Sequence, residues 1–135
     1  LGLNLLTALY LFFFLVTFST MGEPFPLLGR IYQGTAAQLL VLADSLVTLY
    51  LFLGLVKRQR TTWGLLIAYN LFEICNTVIN LRFITPDQLE RVLGRSIDVE
   101  GMTVNNVAAS LALLLLTQYI YRHRSFFVNR NRYLF

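Results

Sequence analysis

The chain has 135 residues, of which 56% are hydrophobic and 13% are charged, and its mean hydropathy is +0.62. This composition excludes an ordinary soluble domain, because the apolar residues form long blocks rather than stripes separated by polar faces. The formal net charge is +4, but the basic residues lie next to the apolar blocks. They predict an orientation in a membrane, and no nucleic-acid partner is predicted.

Four blocks carry few or no charges, and each has roughly the 18–25 residues that cross about 30 Å of hydrocarbon. They cover residues 1–18, 31–56, 63–81 and 104–121. The predicted fold class is therefore all-α: a single transmembrane domain over residues 1–135, built as an integral membrane four-helix bundle. The first block is long for the apolar part of a signal peptide, and no small-residue cleavage site follows it, so we expect a retained span.

The second loop and the C-terminal tail hold most of the basic residues. These residues are Lys57, Arg58, Arg60, Arg122, Arg124, Arg130 and Arg132. The positive-inside rule then places both termini in the cytoplasm, with the first and third loops outside. We expect the same residues to contact lipid headgroups or a partner. The tail, 122–135, is predicted to lie along the membrane, with docking onto a neighbouring subunit as the alternative.

The two external loops differ in their predicted structure. The first, 19–30, contains two prolines and two glycines and is expected to be a stiff turn. The third, 82–103, contains a helix start, with Thr85 as N-cap, Pro86 at the first position and Gln88 closing a capping box. We expect a short amphipathic helix on the outer surface that ends near Gly94. The alternation over 96–102 predicts an extended segment after it.

Two carboxylates lie deep within the apolar blocks, Asp44 in the second and Glu73 in the third. In an antiparallel hairpin about the second loop, each is about 15 residues, or about 20 Å, from the turn. Both are therefore predicted near the bilayer midplane, where an ionisable side chain is costly and indicates a functional site.

Polar residues near these acids recur at helical spacing, which predicts polar faces turned into the bundle. The predicted intramembrane site comprises Asp44, Glu73, Asn70, Asn76, Asn80, Gln38 and Asn106. Most of the amides fall in the outer half of the bundle. They fit either a vestibule that opens outside and ends at the acids, or an amide network that holds the helices together.

The sequence contains no motif for catalysis, phosphate binding or metal binding, so a non-enzymatic protein without a metal site is predicted. The single cysteine, Cys75, allows no intrachain disulfide. No cofactor is predicted, although ligation of a haem or pigment at the membrane edge by His123, the only histidine, is left open.

Three uses of the acid pair compete: handling of protons or cations, structural hydrogen bonding, and contact with a basic group of another subunit. The leading prediction is a non-enzymatic structural or accessory subunit of a larger membrane complex or homo-oligomer, because 135 residues make a thin bundle. The alternative is a proton- or cation-coupled transporter or channel component that uses Asp44 and Glu73. The expected partners are the lipid bilayer and other membrane subunits or further copies of the chain.

Overall fold

The computed structural model describes residues 1–130 and is mostly helical, at 77%. Its helices are α1 (Gly2–Ser19), α2 (Gly34–Val56), α3 (Arg60–Phe83), α4 (Pro86–Leu93) and α5 (Val99–Arg122), followed by a 3₁₀ turn at Arg124–Phe126. Four of these helices, α1, α2, α3 and α5, are long and apolar enough to cross a membrane. The prediction of four such helices from length and composition is thus confirmed.

The four long helices run alternately up and down: Gly2 at the start of α1 lies beside Tyr119 at the end of α5, and the α1–α2 loop bonds Asn76 and Asn80 near the end of α3. α1 packs along α2, and α3 packs along α5, whereas α2 and α3 have a smaller contact. We call the end with residues 57–59 and 123–130 the basic end, and the end with residues 20–33 and 84–98 the hairpin end. The main apolar core comprises Leu6, Tyr10, Leu51, Leu55, Leu66, Ile120 and Phe127.

The first loop forms a short antiparallel hairpin of β1 (Phe25–Leu27) and β2 (Arg30–Tyr32). Leu28 and Gly29 connect the strands, with φ values of 48° and 89°. Positive φ at both central residues is the requirement of a type I′ turn, whose twist matches that of the strands. Since residues 30–32 belong to β2, the predicted start of the second span at residue 31 is wrong, and α2 begins at Gly34.

The amphipathic helix predicted in the third loop is confirmed as α4. The Thr85 hydroxyl accepts a hydrogen bond from the Gln88 backbone N–H at 3.2 Å, and the Gln88 side chain accepts one from the Thr85 N–H at 2.9 Å. This reciprocal pair satisfies two backbone donors that the first turn of a helix leaves free. Gly94 ends the helix in a left-handed conformation, with φ of 69°.

The extended segment predicted over 96–102 is wrong beyond Asp98. The Asp98 carboxylate accepts a hydrogen bond from the Gly101 N–H at 3.1 Å and caps α5, which begins at Val99. The fourth long helix therefore starts five residues before the predicted span at 104. An N-capping aspartate stabilises a helix start whether or not the following residues alternate in polarity.

The tail folds back onto the second loop of its own chain at the basic end. The Asn129 N–H donates to the Arg58 carbonyl at 2.9 Å, and the Arg60 N–H donates to the Asn129 carbonyl at 2.8 Å. The Arg58 Nε also donates to the Phe126 carbonyl at 2.8 Å. Phe127 is only 4% exposed and belongs to the core. Residues 125–130 are thus attached to the second loop of this chain, and the predicted contact of the tail with a membrane or a neighbour stays a prediction.

Candidate internal cavity

Asp44 of α2 and Glu73 of α3 line one cavity inside the four-helix arrangement. The Tyr69 hydroxyl donates a 2.6 Å hydrogen bond to Asp44 Oδ1. Tyr69 and Glu73 are four residues apart on α3, so they lie on the same face of that helix. The structure thus brings the two predicted acids to a common site and adds a tyrosine between them.

The cavity has a volume of about 540 Å³, within the range of about 300–1,000 Å³ that is typical of small-molecule sites. Its lining includes Leu9, Phe13, Val16 and Thr17 of α1, Asp44 of α2, Tyr69, Asn70, Glu73 and Thr77 of α3, and Ala109, Ser110, Ala112, Leu113 and Leu116 of α5. The walls from α1 and α5 are mainly apolar, and most of the polar groups come from α2 and α3. No lysine or arginine is among the described residues that line it.

The cavity opens sideways between α1 and α5. These two helices make little close backbone contact with each other, and the small side chains of Ala109 and Ala112 of α5 line the cavity there. Val16 and both alanines line the cavity and are also exposed on the outer surface of the helices. A molecule can therefore reach the acids from the side of the helices without passing along their axis.

Asn70 lines the cavity and has an unpaired hydrogen-bond donor. Its side chain is 0% exposed, and its Oδ1 accepts a 2.6 Å hydrogen bond from the Tyr10 hydroxyl of α1. The Nδ2 atom has no hydrogen-bond partner among residues 1–130. Because a buried donor left unpaired costs about 1–3 kcal/mol, this amide group is suited to an acceptor that occupies the cavity.

Asn76 and Asn80 hold the hairpin rather than line the cavity. Asn76 Oδ1 accepts the Leu28 N–H at 2.7 Å, and Asn80 Oδ1 accepts the Gly29 N–H at 2.8 Å. Both amide nitrogens also lie 3.4 Å from the Pro26 carbonyl oxygen, to which they donate. The outer amides therefore bind the backbone of the type I′ turn, and this pair fits the structural alternative rather than an open vestibule.

Two further predicted site residues are not brought to the acids. Gln38 is exposed on α2, and Asn106 is half-buried on α5. Neither lines the cavity that contains Asp44 and Glu73. The polar face predicted for the second span is therefore wrong at Gln38, because the side of α2 that meets the other helices is set by Ala37 and Val41, both 1% exposed.

The predicted basic residues have mixed surroundings at the basic end. Arg58 and Arg60 donate to carbonyl oxygens of the tail, and the Arg124 guanidinium lies 4.8 Å from the centre of the Trp63 ring. Arg122 and Arg130 are exposed. Lys57 is also exposed, and Arg132 lies outside the described residues.

The His123 ring is engaged within the chain. Its Nδ1 lies 2.7 Å from the Tyr119 carbonyl oxygen, and the ring stacks on Tyr119 with centroids 4.1 Å apart. Only Nε2 is left to ligate a group at the membrane edge. Within residues 1–130, no cluster of three or more His, Cys, Asp or Glu side chains is arranged to hold a metal ion.

Tyr69 and Tyr10 belong to the site but were not among the predicted site residues. Aromatic residues in an apolar block are usually packing residues, so neither attracts notice by type. The available signal was position, because Tyr69 lies one helical turn before Glu73. Tyr10 had no such signal, since its partner Asn70 is distant in sequence.

Comparisons with protein-family models, curated proteins and solved structures found no match for this chain. Its function is therefore inferred from the cavity and the residues that form it.

Proposed function

We propose that the protein is a multi-pass membrane protein in which α1, α2, α3 and α5 form a transmembrane four-helix bundle. The four apolar helices support this architecture. The concentration of lysine and arginine at the basic end supports a cytoplasmic location for that end and for both termini. In this orientation the hairpin and α4 lie on the outer side.

Within this bundle, we propose that the chain is a non-enzymatic proton- or cation-handling component of a transporter or channel. The observation that carries the proposal is that Asp44 and Glu73 line one internal cavity, and that no lysine or arginine is among the residues of 1–130 that line it. Burying carboxyl groups in an apolar bundle costs several kcal/mol unless a proton or cation offsets the charge. Tyr69 is a hydrogen-bond donor to Asp44, but none of the described residues that line the cavity is cationic, so the proposed counter-charge is a proton or cation that enters the cavity.

The same geometry disfavours the idea that these acids contact a basic residue of a partner subunit. Such a contact needs either carboxylates on an outward helix face or a partner's basic side chain that enters the cavity from the side. Here Asp44 is half-buried and already bonded to Tyr69. Glu73 is also half-buried, and both acids line the cavity within the chain.

The test is a flux measurement on purified protein reconstituted in liposomes, with a pH-sensitive dye inside and potassium or sodium gradients outside. We expect flux in the wild type and its loss in Asp44→Asn and Glu73→Gln, with normal folding and insertion. Glu23→Gln is the matched control, because Glu23 is exposed in the first loop. Equal flux in all four proteins contradicts the proposal, and so does the absence of flux in the wild type.

An accessory subunit is the second candidate, and α4 is the feature that favours it. This helix is amphipathic and makes only sparse contacts with the long helices. Leu89 and Val92 on its apolar side are only half-buried, so a partner has an apolar face to bind. Native mass spectrometry after gentle extraction tests this candidate. A different chain that is retained by the wild type and lost in Leu89→Glu supports it, whereas a monomer alone contradicts it.

A further inference from the structure

We propose that the cavity binds a lipophilic amino alcohol, a molecule with an apolar tail and neighbouring amine and hydroxyl groups, which enters between α1 and α5. The inference rests on the proposed function, because it names the cationic ligand for the same two acids. It goes further by assigning a role to Asn70 and to the lateral opening.

The apolar tail is indicated by the walls of the cavity. Leu9, Phe13 and Val16 of α1 and Leu113 and Leu116 of α5 supply apolar surface. An inorganic cation or a proton needs none of this surface or volume. A cavity of about 540 Å³ instead has the size and lining of sites that enclose an organic ligand with a few polar contacts.

The amine is indicated by the two carboxyl groups. Asp44 and Glu73 offer acceptor oxygens in a cavity whose described lining residues include no cationic side chain. One of the Asp44 oxygens accepts from Tyr69, whereas no described residue supplies a positive charge to Glu73 in the cavity. A protonated amine donates to carboxylate oxygens and offsets their charge in one contact.

The hydroxyl is indicated by Asn70, which is an observation independent of the acids. Its Nδ2 donor is unpaired, and the residue is 0% exposed and lines the same cavity. A protonated amine has donors and no acceptor, so it cannot satisfy Asn70 Nδ2. A hydroxyl beside the amine accepts from Asn70 while the amine donates to Glu73. The head group thus needs both an amine and a hydroxyl.

The route of entry follows from the side opening. α1 and α5 are loosely associated, and the opening lies beside small residues, including Ala109 and Ala112. In the proposed bundle this opening faces lipid tails, where an amphipathic molecule is already concentrated. The ligand then enters from the membrane rather than from water.

The experiment compares three probes with the same tail on protein in nanodiscs: 2-amino-1-dodecanol, dodecylamine and 1-dodecanol. Binding is measured by native mass spectrometry, with empty nanodiscs as the control for partition into lipid. We expect the amino alcohol to bind about two- to tenfold more tightly than the amine, the gain from one neutral hydrogen bond. The uncharged alcohol is expected to bind most weakly.

Variants assign each group to its residue. Glu73→Gln is expected to weaken both amines about ten- to a hundredfold, as the loss of a charge-assisted hydrogen bond does, and to leave dodecanol unchanged. The double variant Tyr10→Phe/Asn70→Leu removes both partners of a buried hydrogen bond and so leaves no orphaned group. It is expected to abolish the preference for the amino alcohol over the amine while amine binding persists.

A third variant tests the cavity itself. Ala112→Leu fills the lateral opening and is expected to weaken all three probes. Ala108→Leu makes the same change at an exposed position of α5 that does not line the cavity, so probe binding is expected to stay the same.

Several outcomes overturn the inference. Equal affinity of the wild type for the amino alcohol and the amine contradicts the role assigned to Asn70. Amine binding that survives Glu73→Gln contradicts the role assigned to Glu73. Equal effects of Ala112→Leu and Ala108→Leu remove the lateral site. Proton or potassium flux that depends on the acids, without binding of any probe, rejects the ligand class and leaves the proposed function standing. Acid-dependent probe binding without flux leaves the ligand class standing and rejects the proposed function.

Discussion

The close approach of α2 to α3 at the basic end depends on Gly54. A Cβ atom added at this position would lie 3.0 Å from Thr62 Cγ2 and 3.1 Å from Thr62 Cβ, and closer still to Oγ1. Thr62 is 1% exposed. Its two γ atoms fill two of the three staggered positions, so every rotamer leaves a γ atom in at least one of the positions that Oγ1 and Cγ2 now occupy. Gly54→Ala therefore has to move the two helices apart.

The expected effect follows from two opposing terms. Overpacking of a buried contact costs about 1–3 kcal/mol, whereas alanine is favoured over glycine in a helix by about 1 kcal/mol. Gly64→Ala isolates the second term, because no atom lies within 4 Å of a Cβ built at Gly64. The two variants should therefore differ in their free energy of unfolding by about 1–3 kcal/mol, with Gly54→Ala the less stable.

The assay is reversible unfolding by SDS in mixed micelles, followed by the fluorescence of Trp63, the only tryptophan. The double variant Gly54→Ala/Thr62→Ala removes the two γ atoms that clash and should recover most of the loss. A coupling energy of at least about 1 kcal/mol between the two sites is expected for residues in contact. If Gly54→Ala and Gly64→Ala have the same stability, the reasoning about this helix crossing is refuted.

Two further predictions concern the ends of the bundle. Asn76→Leu removes the acceptor of the Leu28 N–H and should speed hydrogen exchange at that amide by about two- to tenfold, as expected for one hydrogen bond. Asn105→Leu, at an exposed position near the same end, should leave exchange at the Leu28 amide unchanged. Equal exchange at this amide in both variants contradicts the role of Asn76. Phe127→Ala should lower the free energy of unfolding by about 3 kcal/mol, since a buried phenylalanine is lost from the core. Val128→Ala, at a residue that is 47% exposed, should change it by less than about 0.5 kcal/mol; similar losses in both would show that the tail does not pack as described.

The long helices and the cap of α4 could be predicted from the sequence because their causes are local. A block of about 20 apolar residues predicts a helix of spanning length by itself. The Thr85–Gln88 capping box involves residues three apart, and its hydrogen bonds form within one helical turn. The common depth of Asp44 and Glu73 also needed only the position of the turn and the rise of a helix.

The contacts that define the site could not be read in this way, because they join residues far apart in the chain. Asn70 bonds Tyr10 across 60 positions, and Asn76 bonds Leu28 across 48. An asparagine has the same donors and acceptor in either setting, so its residue type does not tell whether it faces a cavity or a loop backbone.

The sequence by itself determined the number of long helices, their positions to within a few residues at the ends, and the shared depth of the two acids, since apolar length and helical rise are properties of a single segment. Only the tertiary structure decided that Asp44 and Glu73 meet at a cavity, that Tyr69 joins them and that Asn80 binds the hairpin instead. The rotation of each helix about its axis sets these contacts. That rotation follows from side-chain packing between helices, which no single segment encodes.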